Sequence, residues 1–372
     1  MGEFDNLRGP DVFQNWVLMQ RWNDPGPELE YLLYSDAQLA HEWSPVGSPY
    51  AVIAVLREVP NVPRTAAAVL RLSHYRNRAA LLVFSEEGPE HGGELHDEVV
   101  ALLSLELGAR IKAARSYSRR WGFYDDPKGQ PVSHEEPVLV PVGPRTLLPT
   151  LGGVRLLSRV ELLPTLPSLA PDDASALVVS ARLYQEAVWI ADIDAEYAWL
   201  LLVSAIETAA ARWSSYTETP RQRMQTSRPA LDTLLVAEGG DSLADRVADL
   251  IAPYMGATRK FREFLLSFFP NPPSEQYDPT ANISWADRKL VKAALEEIYT
   301  LRSRKLHGGT SFPSVLREYV ATGGSHAVGY MFRNPDDAEF WSDVPCLLHT
   351  FEYVVRHALL RWWHSLPKHS AA

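Results

Sequence analysis

The chain has 372 residues, 36 of them Lys or Arg against 46 Asp or Glu, for a formal net charge of −10. That length predicts two domains, and 46% hydrophobic with 22% charged residues excludes disorder as the dominant state. The acidic total excludes coating of nucleic acid by bulk charge, and the lone Cys346 excludes an internal disulfide and a cysteine-ligated zinc cluster, which fits a reducing cytoplasm.

The start, MGEFDNLRGP, is polar and carries Glu3 and Asp5, unlike the basic end and apolar run of a secretory leader. Short apolar runs then follow, separated by Pro and Gly: Leu29 to Tyr34, Ala51 to Leu56, Ala79 to Phe84 and Val138 to Val142. Their length and punctuation predict strands. An amphipathic stretch from Glu94 to Arg115 predicts one or two helices among them. Residues 1–165 are therefore expected to form an α+β domain, to which the family resemblance described below adds a sensory or regulatory role.

Leu163 to Pro171, LPTLPSLAP, holds three prolines and no charge, so it is expected to be a stiff extended connector. Helical periodicity dominates from there, and residues 172–372 are expected to form an all-α bundle. Its predicted helices are Asp173–Ala191, Ala195–Ser214, Arg228–Ala237, Ser242–Met255, Thr258–Phe268, Trp285–His307 and Asp337–Leu366. The most apolar of them, around Tyr197 to Ala211, is interrupted by Ser204 and Glu207 and is too short to cross a bilayer. Pro270 to Pro279 reads as a solvated loop.

The best-marked helix runs from about Trp285 to Leu306. Ser284 is its expected N-cap, with Asp287 completing a capping box, and Gly308-Gly309 follow its last turn as a C-cap favours. At about 100° per residue, Val291, Leu295, Ile298 and Leu306 fall on one stripe facing the core. Arg302 falls in the middle of that stripe, where a guanidinium must be paired or line a cleft. His307 lies about 140° further round, so the two converge only if the helix loosens before Gly308, or if a second subunit brings its own pair. The alternative is an ordinary basic last turn, with Arg302, Arg304, Lys305 and His307 complementing the helix dipole.

The string IYTLRSRKLHGG resembles the signature of the HEPN superfamily, most closely its ApeA-like branch: an Arg, four intervening residues, a His at a helix end, then Gly-Gly. Upstream, AWLLLVSAIETAAARW places Glu207 where that family often has an acidic residue. The resemblance covers about residues 175–366. Two positions depart from the pattern: Ser303 stands where Asn, Asp or His is frequent, and Gly309 stands where HEPN toxins of the adenylylated type carry Tyr.

The resemblance implies a metal-independent endoribonuclease, in phage defence or as a toxin, with Arg302 and His307 catalytic and no cofactor. It also implies a homodimer through the helical domain, and an activating or inhibiting protein partner for the first domain is envisaged. The residue types suit the chemistry. His307 titrates near neutrality and can move a proton, while Arg302 presents a permanently charged fork to phosphate. Ser303 and Glu207 are supporting candidates, Glu207 either orienting Arg302 or His307 or forming a core-edge ion pair. Arg304 and Lys305, with Arg288 and Lys292, are candidate RNA contacts. The alternatives are a non-catalytic HEPN module that binds RNA, nucleotide or a partner protein, and an unrelated helical scaffold.

Two basic stretches of the first part, Arg64 to Arg78 and Arg110 to Arg120 with Trp121, Phe123 and Tyr124 beyond it, could bind single-stranded nucleic acid. His91, Glu94, His96, Asp97 and Glu98 are metal-ligand types at no standard spacing, and no metal site is expected. Gly-rich nucleotide motifs are absent. The cluster Arg361-Trp362-Trp363-His364 is expected in a core, and His349 and His357 are expected to be structural.

Overall fold

A computed structural model describes residues 8–21, 28–55, 67–73, 75, 94–114, 118–119, 146–148, 151–217, 219–252, 255–272, 285, 287–317 and 345–369. The expected strands Ala79–Phe84 and Val138–Val142 lie outside them, as do Ser284, His91 and the aromatic group Trp121, Phe123 and Tyr124. The fold is mixed: among the described residues, the first part holds an antiparallel sheet with helices and the last part is helical. No helix among the described residues is long and apolar enough to cross a membrane.

One compact unit comprises residues 1–202, 314–321 and 360–372. After helix α1 (Asp11–Arg21) come strands β1 (Glu28–Ser35), β2 (Gln38–Ala40), β3 (Glu42–Trp43), β4 (Tyr50–Ala54) and β5 (Ala68–Ser73). Helix α2 (Leu95–Leu107), β6 (Ile111–Ala113), β7 (Ser118–Arg119) and β8 (Val154–Leu156) complete the set before helix α3 (Pro171–Ile190). The main sheet runs β3-β4-β5-β1-β6, with β7 also on β1, and all its described pairs are antiparallel. β2 and β8 form a separate parallel pair.

The expected strands at Leu29–Tyr34 and Ala51–Leu56 are present as β1 and β4. α2 stops well short of Arg115. Gly108 takes φ 60° and its N–H returns to the Ser104 carbonyl, a left-handed cap that releases the chain into β6. All of α2 except Asp97 is buried, since the helix packs against α1, α3 and β6. Asn15 of α1 ties the helix to the sheet, bonding the Tyr50 hydroxyl at 3.1 Å and the Ser73 carbonyl at 3.0 Å.

The proline segment is not an extended connector. Leu163–Ser168 coils into a 3-10 helix with Leu163 and Leu166 fully buried. The buried Glu106 carboxylate receives the backbone N–H groups of Glu161, Leu162 and Leu163. Prolines that fix φ near the 3-10 value serve this turn as well as they would serve an extended chain. The division between compact units accordingly falls inside helix α4 (Ala195–Thr217), at Leu202/Val203, and not at residues 165–172.

The second unit comprises residues 203–313 and 322–359. Beyond the end of α4 it holds α5 (Pro220–Ser227), α6 (Pro229–Ile251), α7 (Ala257–Ser267) and α8 (Arg288–Gly308), and it takes in most of the final helix (Leu348–Ser365). The two helices expected over 228–255 are present as the two arms of α6, which meet at Gly240, whose φ of 70° and ψ of −175° are non-helical. α5 was not expected, because PRQRMQTS carries little apolar periodicity. A reciprocal Thr219–Gln222 capping box starts it, and Met224 anchors it against Ala244 and Ala248 of α6.

Candidate functional site

The helix that carries the Arg-x4-His string is α8. Its N-cap is Asp287 and not Ser284. The Asp287 carboxylate accepts from the N–H groups of Lys289 (2.8 Å) and Leu290 (3.3 Å), satisfying two orphan donors directly. Val291, Leu295 and Ile298 are fully buried, as their stripe predicts. Leu306 is not: it is 51% exposed, because the last turn passes beyond the packed body. The helix ends at Gly309, whose φ is 65° and whose N–H reaches the Arg304 and Lys305 carbonyls.

Arg302 resolves the conflict of a guanidinium on an apolar stripe by pairing. Its Nη2 donates to Glu207 Oε2 at 2.7 Å, and the side chains of Arg302 and Glu207 are 18% and 22% exposed. The other oxygen, Glu207 Oε1, accepts from the Tyr299 hydroxyl at 2.8 Å. Tyr299 lies three residues before Arg302 on α8, so i,i+3 spacing sets its ring beneath the guanidinium, 5.5 Å from ring centroid to Cζ. The Tyr299 ring packs against Phe261 of α7 at 5.3 Å. Burial first, and then the bond to Glu207, push the Tyr299 phenol up to about 12. It therefore remains a donor throughout the neutral range.

His307 is exposed in the last turn. α8 remains helical through Gly308, so it does not loosen before the glycines and Arg302 and His307 keep separate faces. Ser303 is half-buried and takes no part in the bonds of Arg302. Arg304 is exposed and lies 3.9 Å from Glu297, Lys305 is half-buried and Lys292 is exposed. Arg288 is exposed and donates to the Leu266 carbonyl at 2.9 Å. The structure thus brings Glu207 to Arg302, and among the described residues it brings neither of them to His307. Tyr299 is the member missed in the sequence, although its i,i+3 spacing from Arg302 was there to be read.

The other candidates are structural. Arg71 pairs with Glu30, its direct cross-strand neighbour, at 2.6 Å. Arg110 is buried against Asp36 (2.6 Å), Asp192 (2.7 Å) and the Val188 carbonyl (2.6 Å). Lys112 pairs with Glu186 at 2.8 Å and lies over Trp189. These basic side chains of the two stretches therefore serve the fold, while Arg64, Arg76, Arg78, Arg115 and Arg120 lie outside the described residues. His96 stacks on Tyr31 at 4.0 Å, and Glu98 accepts from the Val12 N–H. No group of metal-ligand side chains forms among the described residues. Trp362 and Trp363 are core, whereas Arg361 and His364 beside them are exposed.

No family model, curated protein or solved structure matches the chain.

Proposed function

We propose that the chain is an endoribonuclease of HEPN type, with Arg302 and His307 at its centre and the helical unit as a HEPN-like bundle. The observation that carries the reading is the state of Arg302. A charge fixed by Glu207 near the end of α8, five residues before an exposed histidine and a Gly-Gly stop, is the preorganised kind of charge that phosphate chemistry uses. RNA supplies its own nucleophile. The 2′-oxygen attacks the adjacent phosphorus as its proton passes to a base, the bond from phosphorus to the 5′-oxygen breaks, and that oxygen takes a proton. The products are a 2′,3′-cyclic phosphate and a 5′-hydroxyl. Arg302 neutralises charge on the phosphorane oxygens, His307 moves one of the two protons, and Arg304 and Lys305 lie along the strand's path.

One imidazole does not fill both proton roles at the same instant. A homodimer, which presents two Arg302/His307 pairs, supplies the second. The cellular roles that fit are phage defence and toxicity, with the sheet-containing unit sensing a trigger or restraining the nuclease.

The test incubates RNA in EDTA with wild-type protein, His307→Ala and Arg302→Ala, and maps the ends produced. Cyclic phosphate ends from wild type alone support the reading; equal RNA integrity across all three removes it. A second reading is favoured by the commitment of Arg302 to Glu207 and its separation from His307: a non-catalytic module that binds RNA, nucleotide or a partner protein. RNA binding weakened by Arg302→Ala, with no new ends from wild type, would select it.

A further inference from the structure

We infer that Tyr299 is a positioning residue of the Arg302 site, its hydroxyl holding the Glu207 carboxylate so that only one nitrogen of Arg302 is engaged. The inference rests on the ribonuclease reading and adds to it a residue outside the Arg-x4-His motif.

The geometry follows from how carboxylates and guanidinium groups meet. Left to themselves they favour a bidentate fork, two parallel N–H to O bonds. Here Glu207 Oε1 is taken by the Tyr299 hydroxyl at 2.8 Å, and Arg302 Nη2 alone reaches Oε2 at 2.7 Å. Arg302 Nε is buried without a hydrogen-bond partner. The guanidinium is thus anchored at one corner while most of its donor edge stays outside the ion pair. A fully forked Arg302 would have to break two charge-assisted bonds before it met a phosphate. An Arg302 with no carboxylate would be free to rotate.

Two further contacts hold the anchor. The Tyr299 ring supports the guanidinium from below, one turn earlier on α8. Phe261 of α7 packs against that ring. The bonds run from the Tyr299 hydroxyl through Glu207 to Arg302. Removing the hydroxyl frees Oε1, and the carboxylate then turns to take two nitrogens of Arg302. The pair itself tightens while its value to a substrate falls. A purely structural ion pair would behave in the opposite way, since loss of a bond to Glu207 would cost stability without touching turnover.

The experiment compares full-length wild type, Tyr299→Phe, Glu207→Gln and the double variant on one RNA oligonucleotide, with His307→Ala as the inactive control and thermal unfolding in parallel. Tyr299→Phe keeps the ring and the packing. The expected result is a kcat lower by about tenfold, the worth of one hydrogen bond to a charged group, with KM changed by less than about twofold. The double variant should lose less than the product of the two single losses, because both act through one carboxylate. Turnover of Tyr299→Phe equal to wild type, while His307→Ala is inactive, would overturn the inference and leave the ribonuclease standing. So would a loss of turnover that tracks a fall in melting temperature. Wild type no more active than His307→Ala would remove the ribonuclease and the inference together.

Discussion

Arg110→Met is the substitution whose outcome the structure fixes most tightly. Arg110 is 3% exposed and donates Nε to the Val188 carbonyl, Nη1 to Asp36 and Nη2 to Asp192, each at 2.6–2.7 Å. Methionine fills the volume of the stem but leaves the acids without their cation. They are not equally affected. Asp192 keeps the Thr146 hydroxyl at 2.9 Å and the Leu147 N–H at 2.6 Å, whereas Asp36 already has one oxygen buried without a partner. The loss is therefore concentrated at Asp36. Each pair is worth about 4 kcal/mol of Coulomb energy at an effective dielectric of 20, most of it offset by desolvation. Truncating one side of a buried pair costs about 3–5 kcal/mol. Urea unfolding followed by tryptophan fluorescence should show that loss, and adding Asp36→Asn should recover part of it, with a coupling above about 1 kcal/mol. A folded Arg110→Met that loses less than about 1 kcal/mol but binds single-stranded RNA more weakly would refute the reasoning. It would return this basic stretch to nucleic-acid binding.

His96 gives a signed pH dependence. Burial against Tyr31 lowers its pKa below the ordinary 6.5, overriding the opposing pull of Asp97 and Glu94, while Arg182 acts with burial. Below about 6.5 the unfolded chain takes up a proton that the folded chain refuses. This group's contribution is therefore full above that value and falls as pH drops, levelling off once the lower folded value is passed. His96→Gln should flatten that part of the stability profile; an unchanged slope would show that His96 does not set it. Gly309→Val places a branched side chain at φ 65° with nothing within 4 Å of its Cβ, so backbone strain alone acts. The expected cost is about 1–2 kcal/mol by denaturant unfolding, with fraying of the last turn by hydrogen exchange, and no loss at all would contradict the left-handed cap.

Where one face of an element is buried, sequence and structure agree closely. The stripe Val291, Leu295 and Ile298 carries its own periodicity, and the apolar run Leu29–Tyr34 is strand β1, buried at Tyr31, Leu33 and Tyr34. The placement of Arg302 on that stripe demanded a partner, and Glu207 is that partner. What failed depended on distant chain. Three backbone N–H groups at 161–163 find Glu106 across 55 to 57 residues, and this folds the proline segment into the core where composition suggested a linker. Basic runs at Arg71, Arg110 and Lys112 looked free because their acids sit far off in sequence, at Glu30, Asp36, Asp192 and Glu186. Tyr299 stayed hidden for a different reason: a tyrosine at helical spacing on a core-facing stripe reads as packing until its hydroxyl is seen on a carboxylate.

The regularity of α8 bears on the dimer proposed for the nuclease. Arg302 and His307 stand about 140° apart on a helix that does not unwind before Gly308. Arg302 is held inward by Glu207 while His307 faces solvent, so a histidine from a second copy is the natural complement to each arginine. Mixing the two inactive variants tests this. If a site takes Arg302 from one copy and His307 from the other, a heterodimer of Arg302→Ala with His307→Ala holds one intact site and one doubly damaged site. Random pairing at equal concentrations makes about half the dimers mixed, so about a quarter of wild-type cleavage should return. If each copy used its own pair, every site in every dimer would lack a residue and mixing would restore nothing. Recovery should also grow with the time allowed for subunit exchange and vanish if the homodimers are crosslinked before mixing. Mixtures that stay inactive after demonstrated exchange would show that one Arg302 and one His307 from different copies do not make a working site. A shared cleft that needs both pairs of the dimer would then be the remaining two-copy arrangement.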